Sequence, residues 1–251
     1  MTTHISPPYI ETQQIVPTLK TKGYAVLSPS TALDLLSCST ENTSNWKPSW
    51  NDLAPDAYLK DGGHYRRRRH SCFVVSGESV LQAKHRAHWQ PLEYNALHGG
   101  MQRMFEPMSA NVVQSNAWLT MLSKLGQMCS ALKLNVQTWF VEAHQFRIDT
   151  TDGIGRPTPE GAHRDGVDFV AVMLIQRHGI KGGETRVFEV DGPSGQRFTM
   201  TEPWTLLLLD DERMIHESTP IQPLDAEDSG LSYRDTLVLT FRVTAFQGEG
   251  T

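Results

Sequence analysis

The sequence contains few cysteines and no long apolar run. Only three of its 251 residues are cysteine, Cys38, Cys72 and Cys129, and they lie far apart without CxxC spacing. This pattern argues against a disulfide framework or a cysteine zinc site and favours a reducing, cytoplasmic location. No stretch reaches the roughly eighteen apolar residues that a membrane-spanning helix requires, and the N-terminus lacks the basic start and apolar run of an export signal. We therefore expect neither export nor a membrane span.

An excess of positive charge is also missing. The chain has 23 Lys and Arg against 28 Asp and Glu, a net charge of -5, which disfavours binding to nucleic acid or anionic membranes through overall charge. Two local basic clusters, at 65–70 (YRRRRH) and 84–88 (KHRAH), keep a nucleic-acid substrate open as an alternative. If the first cluster lies on a strand, either its even-numbered or its odd-numbered arginines would face a site.

The first half of the chain mixes loop, strand and helix patterns. Residues 1–18 are rich in Thr, Pro and Gln, which predicts a flexible N-terminal arm or a surface strap. A short apolar strand is predicted at 23–27, followed by a helix at 28–39. The stretch 42–62 lacks periodicity and is typical of a long covering loop. Apolar residues spaced by three and four predict an amphipathic helix over 115–134.

The second half changes character at Val136. Seven short apolar runs follow, separated by Gly, Pro and Asp, which is typical of an antiparallel sandwich or barrel. We predict a mainly β protein with α-helices (α+β), with a single domain over 19–251. In it, a helical N-terminal half of about 19–135 buttresses a jelly-roll, cupin-like core of about 136–246.

Three residues form a candidate metal site. His163 and Asp165 lie two apart where a loop enters an apolar strand, and residues i and i+2 of a strand share a face. His216 follows the apolar run TLLLLD and a charged turn, so a hairpin can return it to the first pair. Two histidines and one carboxylate on one face of the ion are the ligands of non-haem Fe(II) oxygenases. The tripeptide alone is weak evidence, and its context favours the metal site.

A co-substrate would need a fixed cation. 2-Oxoglutarate chelates iron through its keto acid end and leaves a far carboxylate, which suits a bidentate guanidinium. The last predicted strand carries Arg234 near its start and Arg242 near its end, and eight residues of separation put both on one face. We predict Arg234 as the first candidate and Arg242 as the second.

These motifs resemble a known family. PTPEGAHRDGVDFVAVMLI, GGET, HEST and RDTLVLTF are similar to the bacterial 2-oxoglutarate-Fe(II) dioxygenase family, which includes isoleucine-dioxygenase-type hydroxylases of free L-amino acids and BsmA-type proteins associated with biofilm and stress. GYAVL, HYRRRRH and NALHGGMQRMFEP extend the resemblance over most of the chain.

The resemblance implies a fold, a set of cofactors and a reaction. It implies a double-stranded β-helix with iron on His163, Asp165 and His216, and a turn at 182–183 that leaves Thr185 pointing towards the site or away from it. The cofactors implied are Fe(II), the co-substrate 2-oxoglutarate and O2. The reaction implied is hydroxylation of a small substrate, a free L-amino acid, with release of succinate and CO2.

The substrate pocket is less marked in the sequence. Arg103, which lies among glycines and methionines, and His144, on a predicted strand, are candidate pocket residues. His85, His88 and His98 have no ordered partner carboxylate, so we predict no second metal site there. Three alternatives stay open: a catalytically divergent jelly-roll protein with a stress or biofilm role, an oxygenase acting on nucleic acid, and a metal-dependent hydrolase.

Overall fold

The computed structural model describes residues 4–225 and 230–248. The helices in this part of the chain are α1 (Ile15–Lys22), α2 (Pro29–Leu36), α3 (Thr40–Ser44), α4 (Ala110–Val113) and α5 (Asn116–Leu132). The strands are β1 (Tyr24–Leu27), β2 (Arg66–Ser76), β3 (Ser79–Gln82), β4 (Thr138–Asp149), β5 (Phe169–His178), β6 (Ile180–Gly182), β7 (Thr185–Glu189), β8 (Gly195–Phe198), β9 (Leu206–Asp210), β10 (Met214–Ser218), β11 (Ile221–Pro223) and β12 (Tyr233–Arg242). Within these ranges no helix is long and apolar enough to cross a bilayer. The cytoplasmic location stays a prediction.

The strands form two facing antiparallel layers, as predicted for a jelly roll. The large sheet has seven strands in the order β1-β9-β5-β12-β4-β2-β3. A three-stranded sheet, β10-β7-β8, packs against it, and β11 pairs with β6 in a further small sheet. The seven predicted apolar runs all contribute strands, because their alternation suits a sheet buried on one or both faces.

Strand β9 shows how the large sheet is buried on both faces. Leu206 and Leu208 belong to the core under the helices, whereas Leu207 and Leu209 belong to the core between the two sheets. Successive side chains of a strand point to opposite faces, so a run of four leucines supplies both cores at once. The face between the sheets is the one that carries the functional cavity.

Helix α5 confirms the helix predicted over 115–134. The Ser115 hydroxyl caps it by accepting a hydrogen bond from the Trp118 backbone N–H at 3.3 Å. Its apolar face is buried against the large sheet, and a Cβ on Gly126 would lie 2.7 Å from Cγ1 of Val75 on β2. The helix therefore sits directly on the strand that carries the arginine run.

The N-terminal half is less helical than predicted. Over 19–135 the chain also contributes β1, β2 and β3 to the large sheet, and β2 pairs with β4 along its whole length. The arginine-rich start of β2 has a polar composition, which by itself suggests an exposed segment. Alternate arginines are nevertheless buried there, so the strand is internal despite its composition.

The segment predicted at 1–18 as a flexible arm or a surface strap contacts the body of the protein at several described residues. Helix α1 begins at Ile15, and both Ile15 and Leu19 are buried in the core under the helices. Upstream, the Thr199 N–H donates to the Ile5 carbonyl at 2.9 Å, and Tyr9 forms a bridge to Val26 of β1. A few buried apolar side chains and backbone hydrogen bonds therefore hold this polar segment in place. Residues 1–3 lie outside the described residues.

The covering loop predicted at 42–62 is anchored by tryptophan. It holds part of α3 and a 3-10 turn at Lys47–Trp50. The fully buried Trp50 donates from Nε1 to the Phe146 carbonyl of β4 at 3.1 Å and lies 3.3 Å from the Thr236 carbonyl of β12. The loop is thereby tied to the two central strands.

Candidate metal centre

The main chain brings the three predicted ligands together. His163, in the loop before β5, exchanges backbone hydrogen bonds with His216 of β10 at 3.0 and 2.9 Å. Asp165 lies between them: its Oδ1 is 3.9 Å from His163 Nε2 and its Oδ2 is 3.7 Å from His216 Nε2. These separations suit three ligands that each lie about 2.1 Å from one ion.

The tautomer of His163 also fits a metal. Its Nδ1 lies 3.0 Å from the Gly161 carbonyl, which can only accept, so Nδ1 carries the proton and Nε2 presents its lone pair to the site. Burial raises the pKa of Asp165, against the opposing charge of His163. Burial, with the nearby His163, lowers the pKa of His216. These groups therefore fit an Fe(II) ion.

A second carboxylate holds the loop that carries Asp165. Asp211 accepts backbone N–H bonds from Asp165 at 3.0 Å, Gly166 at 2.8 Å and Val167 at 3.0 Å. Gly166 has φ +76°, and a Cβ there would lie 2.5 Å from the Tyr94 ring. Burial and the charge of Asp165 raise the pKa of Asp211 to about 7. The sequence analysis missed Asp211, whose only signal was its place directly after β9.

The triad opens onto a cavity of about 120 Å³ between the two sheets. That volume suits a small molecule. Alternate residues of the central strands supply much of its wall: Arg66 and Arg68 of β2, His144, Phe146 and Ile148 of β4, and Arg234, Thr236, Val238 and Thr240 of β12.

Arg234 lies in the wall of this cavity and Arg242 does not. Arg234 is buried, and its Nε has no hydrogen-bond partner among the described residues. Burial, with the charge of Arg177 on β5, lowers its pKa to about 10. Thr185 of β7 also lines the cavity, with its hydroxyl buried and without a partner in the same part of the chain.

The prediction of Arg242 as an alternative cation is not supported by its position. Eight strand residues correspond to about 26 Å. Arg242 therefore shares a face with Arg234 but lies far along it, where it lines a different cavity and its Nη1 donates to the Ala245 carbonyl at 3.3 Å.

Arg103 and His144 both line the cavity. Arg103 is 1% exposed, and its Nη2 donates to Gln90 Oε1 at 2.9 Å while its Nε has no described partner. Burial lowers its pKa to about 10. The Nδ1 atom of His144 accepts a hydrogen bond from Arg68 Nη2 at 2.8 Å. Glu160, which sequence reasoning missed, adds a half-buried carboxylate whose buried Oε2 has no partner among the residues described.

The arginine run of β2 alternates as a strand should. Arg66 and Arg68 face the cavity and are buried; Arg66 Nε lies 2.7 Å from Asp56 Oδ2. Arg67 and Arg69 face the other way and are half-buried, and each reaches an acid, at 3.5 Å from Asp149 and 3.3 Å from Glu106. The even-numbered arginines are thus the ones that face the site.

A second cluster of ligand-type residues lies beside the cavity, and two of its members, His88 and His144, line it. Glu142 Oε2 is 3.0 Å from His70 Nε2, 2.7 Å from His88 Nδ1 and 4.0 Å from His144 Nε2. All four side chains are buried. Burial lowers the pKa of His70 and His144, and that of His88 to about 3. His88 and His70 hold the pKa of Glu142 low despite its burial. This set differs from the one weighed in the sequence, sharing only His88.

Comparisons with known proteins agree with this geometry. The sequence model of the 2OG-Fe dioxygenase family matches residues 47–240. The crystal structure of a bsmA homolog from Methylobium petroleophilum is 49% identical, covers 96% of this chain and 97% of its own, and superposes with a TM-score of 0.90. IDO from Bacillus thuringiensis is 16% identical over 98% and 100% of the two chains, with a TM-score of 0.73.

A further solved structure is similar in fold. The Fe(II)/(alpha)ketoglutarate-dependent dioxygenase TqaL is 18% identical over 94% of this chain and 90% of its own, with a TM-score of 0.71. At such low identity IDO and TqaL show the fold alone, which is the predicted double-stranded β-helix. A search of curated protein sequences found no match.

Proposed function

The chain belongs to the 2OG-Fe dioxygenase family, and from that membership we propose that it hydroxylates a small molecule, a free L-amino acid, at the His163, Asp165 and His216 centre. It is a non-haem oxygenase that uses Fe(II), 2-oxoglutarate and O2. The observation that carries the proposal is that the spaced triad shares one cavity with the buried Arg234, whose Nε has no partner among the described residues.

The triad would hold the iron through His163 Nε2, His216 Nε2 and the Asp165 carboxylate. When bound, iron and its co-substrate supply the oxidation in which 2-oxoglutarate loses CO2 to become succinate and the substrate gains a hydroxyl group. The chain's own contribution is orientation. Asp211 fixes the backbone of the Asp165 loop, and the backbone pair between His163 and His216 fixes the distance between the two histidines.

Arg234 would hold the far carboxylate of 2-oxoglutarate. A buried guanidinium with an unpaired Nε favours a carboxylate partner, because a buried cation without one is costly. The Thr185 hydroxyl can donate to the same carboxylate, and the neighbouring Arg177 adds a second cation with an unpaired Nη1 in the described part of the chain. Sequence analysis did not identify Arg177.

The substrate would be a zwitterion. Arg103 supplies a buried cation for a carboxylate. The half-buried Glu160 supplies an acceptor for an ammonium group through its buried Oε2, and its Oε1 lies 3.7 Å from His163 Nε2. His144 lies beside them in the wall. Apolar residues such as Phe146 and Val238 complete the cavity and exclude water from the reacting groups. A free amino acid satisfies all three requirements.

One experiment tests the cofactor assignment. Fe(II) and 2-oxoglutarate are added without oxygen to the metal-free protein, and the visible charge-transfer band of the chelate is recorded. We expect a band that is lost in His163→Ala and needs far more 2-oxoglutarate in Arg234→Ala. Succinate release is then measured with a panel of free L-amino acids. Absence of the band in a folded, metal-binding protein would refute the proposal.

The alternatives have less support. The site-facing arginines of β2 are buried inside the cavity, whereas the outward Arg67 and Arg69 are paired with acids, so the basic cluster is no open surface for nucleic acid. Family membership and an intact triad speak against a divergent scaffold. A hydrolase would be recognised by turnover without 2-oxoglutarate or O2.

A further inference from the structure

A compact loop connects the substrate side of the cavity to the metal centre. His88 and Arg103 close its neck through two backbone hydrogen bonds of 2.9 Å each. Inside the loop, the Gly99 N–H donates to the Asn95 carbonyl at 2.7 Å, and a Cβ on Gly99 would lie 2.4 Å from that oxygen. The loop is therefore packed too tightly to accept a side chain at that glycine, and its polar residues are held in fixed positions.

Gln90 connects Arg103 to Asp165. Its Oε1 accepts from Arg103 Nη2 at 2.9 Å and from Asn95 Nδ2 at 3.2 Å, and its Nε2 donates to Asp165 Oδ1 at 3.1 Å. A guanidinium can only donate and an ionised carboxylate can only accept, so both ends fix the same amide orientation. Gln90 is itself buried, which keeps this chain of hydrogen bonds away from water.

Arg103 has no acid partner of its own. Along residues 4–225 and 230–248 no carboxylate forms an ion pair with it, although Asp56, Glu160 and Glu142 lie near enough to favour its charge. Its Nε is buried and unpaired, and the side chain lines the cavity. A cation in this position favours an anionic group on the bound molecule.

We propose that Gln90 is a positioning residue that couples the binding of a carboxylate at Arg103 to the strength of Asp165 as a metal ligand. This rests on the proposed function. The charge of Arg103 polarises the Gln90 amide, so Nε2 donates strongly to Asp165 and withdraws electron density from it. A carboxylate on Arg103 offsets that charge, and Asp165 then binds the metal more tightly. By reciprocity, the metal strengthens carboxylate binding by the same factor.

The test uses acetate as the carboxylate probe. The protein is held without oxygen at saturating 2-oxoglutarate, which occupies the Arg234 end, and Fe(II) is titrated while the charge-transfer band is followed. Acetate is compared with chloride at equal ionic strength. We expect acetate to lower the apparent Kd for Fe(II) in the unmodified protein by about fivefold or more.

Variants separate coupling from simple support of the loop. Gln90→Met should abolish the acetate effect because, at similar volume, it removes the hydrogen bonds that connect Arg103 to Asp165. Gln90→Glu should abolish it by giving Arg103 a carboxylate of its own. Gln247→Met is the matched control, because Gln247 Nε2 donates to the backbone carbonyls of Asp165 and Gly166, at 2.9 Å each, and not to the carboxylate. It should keep the acetate effect even if metal binding weakens.

The outcomes separate this inference from the proposed function. A band in the unmodified protein that does not respond to acetate overturns the coupling and leaves the function standing. An acetate effect that survives in folded Gln90→Met also overturns it, because the acetate would then act elsewhere. No band in the unmodified protein refutes the proposed function and, with it, the coupling.

Discussion

Two groups of histidine and carboxylate side chains reach the same cavity, but they are arranged differently. In the His163, Asp165 and His216 group the facing nitrogen and oxygen atoms are 3.7 to 3.9 Å apart, which leaves room for an ion between them. Around Glu142 the two shortest separations are 2.7 and 3.0 Å, the length of direct hydrogen bonds. The first group therefore leaves space for an ion, whereas in the second group two histidines hydrogen-bond directly to the Glu142 carboxylate.

The hydrogen-bond partners of the histidines explain the difference. His163 Nδ1 donates to a carbonyl, which frees Nε2 to bind a metal. His144 Nδ1 instead accepts from Arg68, so its proton lies on Nε2, the nitrogen that faces Glu142. The Arg68 cation beside it also repels an ion. Residue types alone therefore do not define a metal site. The tautomers of the histidines and the neighbouring charges determine whether an ion can bind.

Metal stoichiometry is the strongest test of this contrast. We expect about one Fe(II) per chain in the unmodified protein and close to none in His163→Ala, because three protein ligands are needed to hold the ion. His88→Ala should keep its metal. Elemental analysis after anaerobic reconstitution measures both. If the unmodified protein bound two Fe(II) per chain and His88→Ala lost one of them, the Glu142 cluster would be a second metal site. The contrast between the two groups would then be wrong.

Removing the two carboxylates should change the stability of the metal-free protein by different amounts. Glu142→Gln leaves one of two buried histidines without its acceptor and removes the anion near Arg68, so we expect a loss of about 3 kcal/mol in the free energy of unfolding. Asp165→Asn in metal-free protein should cost less than about 1 kcal/mol, or stabilise it, because burial disfavours the Asp165 charge. Urea unfolding at one pH gives both values. Equal losses would mean that Asp165 also has a structural role.

The next contrast is between Arg234, at the anion-binding end of the metal cavity, and Arg242, outside that cavity. Arg234→Met should raise the apparent Kd for 2-oxoglutarate by about 30-fold, corresponding to roughly 2 kcal/mol for a charge-assisted pair. Arg242→Met is the matched control on the same strand face and should leave that Kd unchanged, since Arg242 lines another cavity. Titration of the charge-transfer band measures both. A comparable effect in Arg242→Met would reinstate the sequence-based alternative.

The smallest expected effect is a loss of folding stability at acid pH, which arises from the Glu142 cluster. The pKa of His88 is lowered from 6.5 to about 3, so its stabilising contribution is complete above pH 6.5 and is lost as the pH falls towards 3. The lowered pKa values of His70, His144 and Glu142 act in the same direction.

The pH slope of stability checks this assignment. His88→Gln should reduce the dependence of the free energy of unfolding on pH between 6.5 and 4 by at most about 1.4 kcal/mol per pH unit. An unchanged slope in His88→Gln would show that His88 already carries its proton in the folded protein.

Much of the fold could be predicted because its signals are local. The apolar runs from Val136 onward became strands, since alternation and turn residues are encoded over a few positions. Strand β2 was missed as a core element because buried arginines look like a surface pattern. Their burial depends on Asp56 and on the aromatic rings of Phe105 and Phe146, which contact Arg68 from elsewhere in the chain.

The residues of the candidate site likewise divide into those with a local sequence signal and those without one. His163, Asp165 and His216 were predicted because a short motif and strand order point to them. Gln90 lies in no motif, and Glu160 lies in the PTPEG segment without a spacing that marks it as a site residue; loops bring both to the cavity. The Glu142 cluster joins β2, β4 and a loop residue through strand register, with His70 opposite His144, and no sequence spacing reveals that.

The anchored N-terminal segment has a practical consequence for anyone producing this protein. A truncation beginning near residue 12, which its composition would recommend, would delete the Ile5 contact to Thr199 and the Tyr9 bridge to β1. Tyr9 also reaches Glu202 and Thr205 through its hydroxyl, at 3.3 Å each. Expression plasmids should therefore retain the first eleven residues, and a shortened version that precipitates would say nothing about the oxygenase domain itself.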